Sequence, residues 1–252
     1  MNSIIDARKP LASLLLAAGM ALGAGAAQAA DYAAQAPWAE QLIANVATVN
    51  NVYGSDPTIV TWAGVNGATI YQNRSTCAAF VSNVMKTSNG ISNTSYKAIF
   101  GTSSPQSAQY YTNIVNQNHF QRIFNPNDIK RGDIIAAIYM PCANSESTGH
   151  TMLALSGATA RTVNTLPLVA GTVQYEVTVA DSSASNHDAK DSSGVLYPDT
   201  RGADGSGAGI GKLRLYQDVA TGTIIGYTWT MNRSSIYYAN GGCRSIAVGR
   251  MF

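Results

Sequence analysis

The chain has 252 residues, of which 12% are charged, and a formal net charge of +2 with its histidines neutral. That near balance argues against nucleic acid or an anionic membrane surface as the principal partner, because both select strongly basic surfaces. The length supports one sizeable core and is too short for two full domains.

In chain order, Arg8 and Lys9 precede an apolar stretch, Leu11 to Ala27, that ends in Ala27-Gln28-Ala29. A basic start, an apolar core and an A-x-A site make residues 1–30 a secretory signal peptide, cleaved near Ala29 or Ala30. The core is shorter than the about 20 residues of a membrane span. Residues 31–252 are then one exported domain, periplasmic or secreted from a bacterium, with no membrane contact after cleavage.

Pro37 to Val52 carries Trp38, Leu42, Ile43, Val46 and Val49 at the spacing of one helical face. A second helix is expected from Thr76 to Lys86, where Cys77, Phe80, Val81, Val84 and Met85 fall at i, i+3, i+4, i+7 and i+8 and Ser75 or Thr76 supplies the N-cap. Residues 87–127 are rich in Ser, Asn and Gln and read as an insertion of helices and loops. Within it, Ser103-Ser104-Pro105-Gln106 resembles a capping box and predicts a helix through about Asn116.

From Ile129 the pattern changes to strands. Asp133 to Tyr139, His150 to Ser156, Thr172 to Ala180, Gly211 to Tyr216, Thr223 to Thr230 and Cys243 to Met251 are β-branched or alternating runs bounded by turn residues, and Arg161 to Thr165 is a further candidate. Helices followed by antiparallel strands give an α+β domain with helices packed on one face of a sheet.

Three cysteines in an exported chain leave one unpaired. Cys142 and Cys243 sit in loop-like settings at strand ends and are the disulfide candidates, whereas Cys77 starts a helix. A thiol there is made nucleophilic by free backbone N–H groups and the helix dipole; Ala78 and Ala79 leave the sulfur accessible, and Arg74 adds positive potential. Of the histidines, His150 opens a strand, whereas His119 lies in the Asn/Gln-rich segment and His187 in a Ser/Asp loop without comparable support. Asp181, at the end of the strand after the His150 hairpin, is the candidate to orient the imidazole.

Two other patterns carry less. GSGAGIGKL, Gly205 to Leu213, lacks the first Gly and the final Ser/Thr of a phosphate loop and reads as a mobile loop. Asp181, His187, Asp188, Asp191, Asp199 and Asp204 lack a recognised metal-ligand spacing and read as a solvated loop along the cleft.

Taken together, TCAAFV, a strand opened by RGDII, then GHTMLAL and VADSS resemble the NlpC/P60 and CHAP group of papain-like cysteine hydrolases over roughly Tyr71 to Ser183. The resemblance implies a papain-like fold and amide hydrolysis through a thioester, with Cys77 as nucleophile, His150 as base and Asp181 orienting His150. It also implies peptides of bacterial peptidoglycan as substrate, no cofactor or metal, and a monomer. The Cys77 amide, with Tyr71 or Gln72, would hold the oxyanion. Thr76 stands where many members carry Asp and Ala78 where Ser is common, and the segment between Cys77 and the first strand is long. The residues leave open an acyl or thioester hydrolase, and a non-catalytic exported binding module on the same fold.

Overall fold

A computed structural model describes residues 34–252 apart from 55, 188, 191–195 and 202–204. The expected signal peptide, residues 1–30, and the positions of Asp188, Asp191 and Asp204 lie outside the described residues. No helix among the described residues is long and apolar enough to cross a membrane.

The first helix, α1 (Gln35–Asn45), is shorter than its periodicity predicts. Beyond Asn45 the chain turns extended at Val46 and forms β1 (Asn51–Tyr53), leaving Val49 exposed. The β-branched Val46, Thr48 and Val49 resist a helix weakly. The stronger cause is tertiary: β1 pairs in parallel with β3 (Gln72–Ser75), which also pairs with β2 (Ile59–Thr61).

Next comes α2 (Cys77–Asn89), which ends at Gly90 in the left-handed conformation that glycine tolerates. Thr76 is its N-cap position but makes no side-chain capping bond. α3 (Asn93–Phe100) follows, then α4 (Ser107–Val115). The α4 start is one turn later than the sequence suggests, because the Gln109 side chain accepts from the Gln106 amide at 2.9 Å and Ser103 to Pro105 stay outside the helix.

The main sheet has nine strands, all pairing antiparallel. They are β4 (Phe120–Ile123), β5 (Ile134–Tyr139), β6 (Gly149–Ala154), β7 (Thr159–Ala160), β8 (Thr172–Ser183), β11 (Gly207–Asp218), β12 (Ile224–Thr228), β13 (Tyr237–Ala239) and β14 (Arg244–Met251). Their order is β13-β12-β11-β8-β6-β5-β14-β4, with β7 paired to β8; β9 (Ala189–Lys190) and β10 (Leu196–Tyr197) make a separate hairpin. The strand candidate at Arg161 to Thr165 is displaced to β7, since 161–165 form bends against Gln174. The presumed loop at Gly205 to Leu213 is also corrected: from Gly207 it is β11, paired to β8 along its whole length.

One face of the sheet is covered by α1, α2 and α4, with Phe80, Val84, Tyr110, Ile134, Leu153 and Ala180 in the shared core. The other face closes on itself. β12 and β13 touch β14 although β11, β8, β6 and β5 separate them in the order, so the sheet is curled around Ile135, Met152, Val179, Leu213 and Tyr227. The architecture is thus an α+β domain with helices on the outside of a curled antiparallel sheet. Residues 87–127 carry α3, α4 and β4, and they are part of the packed domain: α4 lies against β4, β5, β6 and β14, and β4 forms the sheet edge beside β14.

Cys142 and Cys243 form a disulfide, Cα–Cα 5.4 Å, that ties the turn after β5 to the start of β14 across 101 residues. Closing so long a loop restricts the unfolded chain. Replacing both with Ser is expected to lower unfolding free energy by about 2–5 kcal/mol, read as a lower urea midpoint, with a steeper slope because the unfolded chain loses its cross-link.

Candidate active site

The helical layer and the curled sheet meet at the first residues of β6. Cys77 is the first residue of α2 and is 5% exposed. His150 is the second residue of β6, after a Gly149 whose φ of +148° and 2.0 Å approach of a virtual Cβ to the Ala137 carbonyl admit no side chain. Asp181 lies within β8 rather than at its end, because that strand runs on to Ser183. The register pairs Leu153 with Ala180 and Ala154 with Val179, so Asp181 falls opposite Met152 and shares a sheet face with His150.

His150 Nε2 lies 2.5 Å from Asp181 Oδ2. An ionised carboxylate only accepts, so Nε2–H donates, and Nδ1 is left for Cys77. Around the sulfur, Ser107 Oγ is 3.4 Å away and the Thr151 amide contributes a further bond. Thr151 Oγ1–H donates to Ser107 Oγ at 2.9 Å, which directs the single Ser107 proton toward the sulfur. Burial alone would raise the Cys77 pKa. The opposing charge and hydrogen bond of His150, with the bonds from Ser107 and Thr151, lower it to about 7. For His150, burial favours the neutral ring, but the thiolate and the Asp181 bond outweigh it and raise the imidazolium to about 10. At neutral pH the pair is therefore divided between the thiolate–imidazolium form and the protonated thiol.

Asp181 has no exposed surface. Burial would raise its pKa, yet Arg201 and the two histidines hold it far below the usual carboxylate range. Arg201 Nη2 is 2.6 Å from Asp181 Oδ1, and His187 Nε2 is 3.3 Å from Oδ2. Asp199 accepts from Arg201 Nε at 2.9 Å, Nη2 at 3.0 Å and the backbone amides of Arg201 and His187 at 2.8 Å. His187 Nδ1–H donates to the Trp229 carbonyl at 2.7 Å while its ring stacks on Trp229 at 4.0 Å; the His150 ring stands edge-on to the same indole at 4.6 Å.

Several expectations change. His187 is fully buried with rigid support, and Asp199 is 6% exposed, so neither belongs to a solvated loop. Tyr71 packs against the helical core and Gln72 begins β3, and neither lines the cavity that holds Cys77. Tyr53 does: the β1 register sets it opposite Ser75, and burial together with the nearby Cys77 and Asp181 charges raises its pKa. Arg74 reaches the Asp56 carbonyl at 3.4 Å and is not among the groups that shift Cys77.

No family model matches the chain, and no solved structure matches it. The uncharacterized protein R653 of Acanthamoeba polyphaga mimivirus is 30% identical over 197 residues, which cover 76% of this chain and 84% of the viral protein. The chain belongs to the family of that viral protein. The name of that viral protein assigns it no activity.

Sequence reasoning missed Ser107, Tyr53, His187 and Arg201. One signal for Arg201 was present. Gly207, Gly209 and Gly211 recur with the period of one strand face, so another layer can approach the backbone there. A Cβ on Gly209 would stand 2.5 Å from Arg201 Cγ, and one on Gly211 2.7 Å from Asp199 Oδ2. Arg201→Met, which strands Asp181 and Asp199 in the interior, is expected to cost about 3–5 kcal/mol in urea unfolding.

Alkylation of Cys77 by iodoacetamide requires the thiolate, so its rate should rise with pH and reach half its maximum near 7. Ser107→Ala and His150→Ala remove groups that favour the thiolate, so both should move that midpoint upward, His150→Ala further.

Proposed function

We propose that the protein is an exported cysteine hydrolase of papain-like type that cleaves amide bonds in peptidoglycan peptides. The observation that carries the reading is the convergence on one buried sulfur of a helix start, the His150 imidazole, the Ser107 hydroxyl and the Thr151 amide, with Asp181 fixing the far nitrogen of His150. A structural cysteine needs none of these donors. The likeness to NlpC/P60 and CHAP enzymes in motif order supports the substrate class.

In the proposed reaction the Cys77 sulfur attacks the amide carbonyl carbon, and the carbonyl π electrons move onto oxygen. The first-turn amides of α2, which Thr76 does not cap through its side chain, and the Tyr53 hydroxyl are the donors beside that oxygen. As the carbonyl re-forms, the C–N bond breaks and His150 gives its proton to the departing nitrogen, leaving a thioester. Water then attacks the thioester carbon while His150 takes its proton; the C–S bond breaks, releasing a carboxylic acid and restoring the thiolate and imidazolium. Asp181 stabilises the imidazolium and holds its tautomer throughout.

Purified peptidoglycan and its stem peptides should release new amines with the wild type and none with Cys77→Ala. Asp181→Asn should lower kcat by about 10²–10⁴-fold. Full digestion by Cys77→Ala overturns the proposal, and cleavage of esters or thioesters without amides moves it to acyl-group hydrolysis.

A further inference from the structure

Two cavities, not one, flank the Cys77–His150 pair. The first, about 600 Å³, is lined by Cys77, Thr76 and the segment Ser104 to Ser107 that leads into α4; the second, about 470 Å³, is lined by His150, Trp229, Tyr227 and Arg244. Tyr53, Ser147 and Gly149 line both and form the ridge between them.

In the second cavity the Arg244 guanidinium carbon lies 4.3 Å from the Tyr139 ring centroid and 4.7 Å from that of Tyr238. One of its N–H groups donates to the Tyr238 hydroxyl at 3.1 Å, and no carboxylate among the described residues pairs with it. A planar cation held over two aromatic rings, with N–H donors to spare, is suited to grip a carboxylate. The disulfide fixes it in place, since Cys243 directly precedes Arg244.

Acyl transfer assigns the cavities. The acyl carbon bonds to the Cys77 sulfur, and the departing nitrogen takes the His150 proton, so the two halves of a substrate straddle the pair. The half that meets His150 extends into the cavity that His150 lines. We infer that this cavity is the leaving-group subsite, that it takes an amine fragment carrying a carboxylate, and that Arg244 is the residue that selects it. The inference rests on the hydrolase reading and sharpens it: the amine product carries a carboxylate, and the ring walls of Tyr139, Tyr227, Trp229 and Tyr238 limit water around the ion pair.

The test uses the Cys77→Ala protein, alanylalanine in its L,L and D,D forms, and the matching C-terminal amides, with the Trp229 indole N–H observed by NMR. The free carboxylate is expected to bind about tenfold or more tightly than the amide, the scale of one charge-assisted hydrogen bond. Arg244→Gln should erase that preference while leaving amide binding in place. Equal binding of acid and amide, or a preference that survives Arg244→Gln, overturns the subsite. Alkylation of wild-type Cys77 separates the two readings. Fast alkylation with no carboxylate preference retains the nucleophile and overturns the subsite. A carboxylate preference beside an inert Cys77 overturns the leaving-group role and the hydrolase together, leaving an anion site.

Discussion

The buried carboxylate of Asp181 is the group around which the rest of the site is arranged. An ionised group without solvent costs several kcal/mol unless protein charges and donors replace its water. Both its oxygens are engaged, Oδ1 by Arg201 and Oδ2 by His150 and His187. Arg201 is itself a buried charge and needs Asp199 as its second partner. To admit this layer, β11 gives up side chains at Gly209 and Gly211, each costing roughly 0.5–1 kcal/mol relative to Ala in a strand interior. The return is a fixed His150, whose Nδ1 is left facing the sulfur.

Neither structural layer holds the site alone. Cys77 and Ser107 start α2 and α4 on the outside of the sheet, whereas His150 and Asp181 project from the face that the curl encloses. Packing of the helices on β6 sets the sulfur-to-imidazole geometry. α4 starts at Ser107, and the hydroxyl of that first residue meets both Thr151 and Cys77.

The parts of the site legible in sequence were those marked by local structure. Cys77 follows a helix-start pattern, His150 follows Gly149 at a strand start, and Asp181 lies on the next long strand, so element order exposed them. The α+β class was legible for the same reason. Ser107, Tyr53, His187 and Arg201 were not, because their contacts to the centre span distances in sequence that only the curled sheet closes. Residues 205–213 read as a mobile loop because of their glycines, but the alternation of those glycines marked a strand face stripped for close approach. The end of α1 was misjudged because strand pairing by β1 overrides a helical period.

β14 links the curl to chemistry on its other side. It pairs with β5 and β4 along its edges and meets β12 and β13 across the interior, so its position determines how tightly the sheet closes. Its first residue is Arg244, with Tyr139 contributed by β5 and Tyr238 by β13. The two rings in contact with the cation thus come from strands that are brought together only when the curl closes. The cavity beside His150 is consequently a product of sheet closure, and the disulfide at the β14 start acts on both: it restrains the closure and holds the guanidinium at the cavity wall. A change in curl too small to disturb the Cys77–His150 pair would still widen or narrow the space between those rings, so the shape of the cavity beside His150 depends more on sheet closure than the pair does.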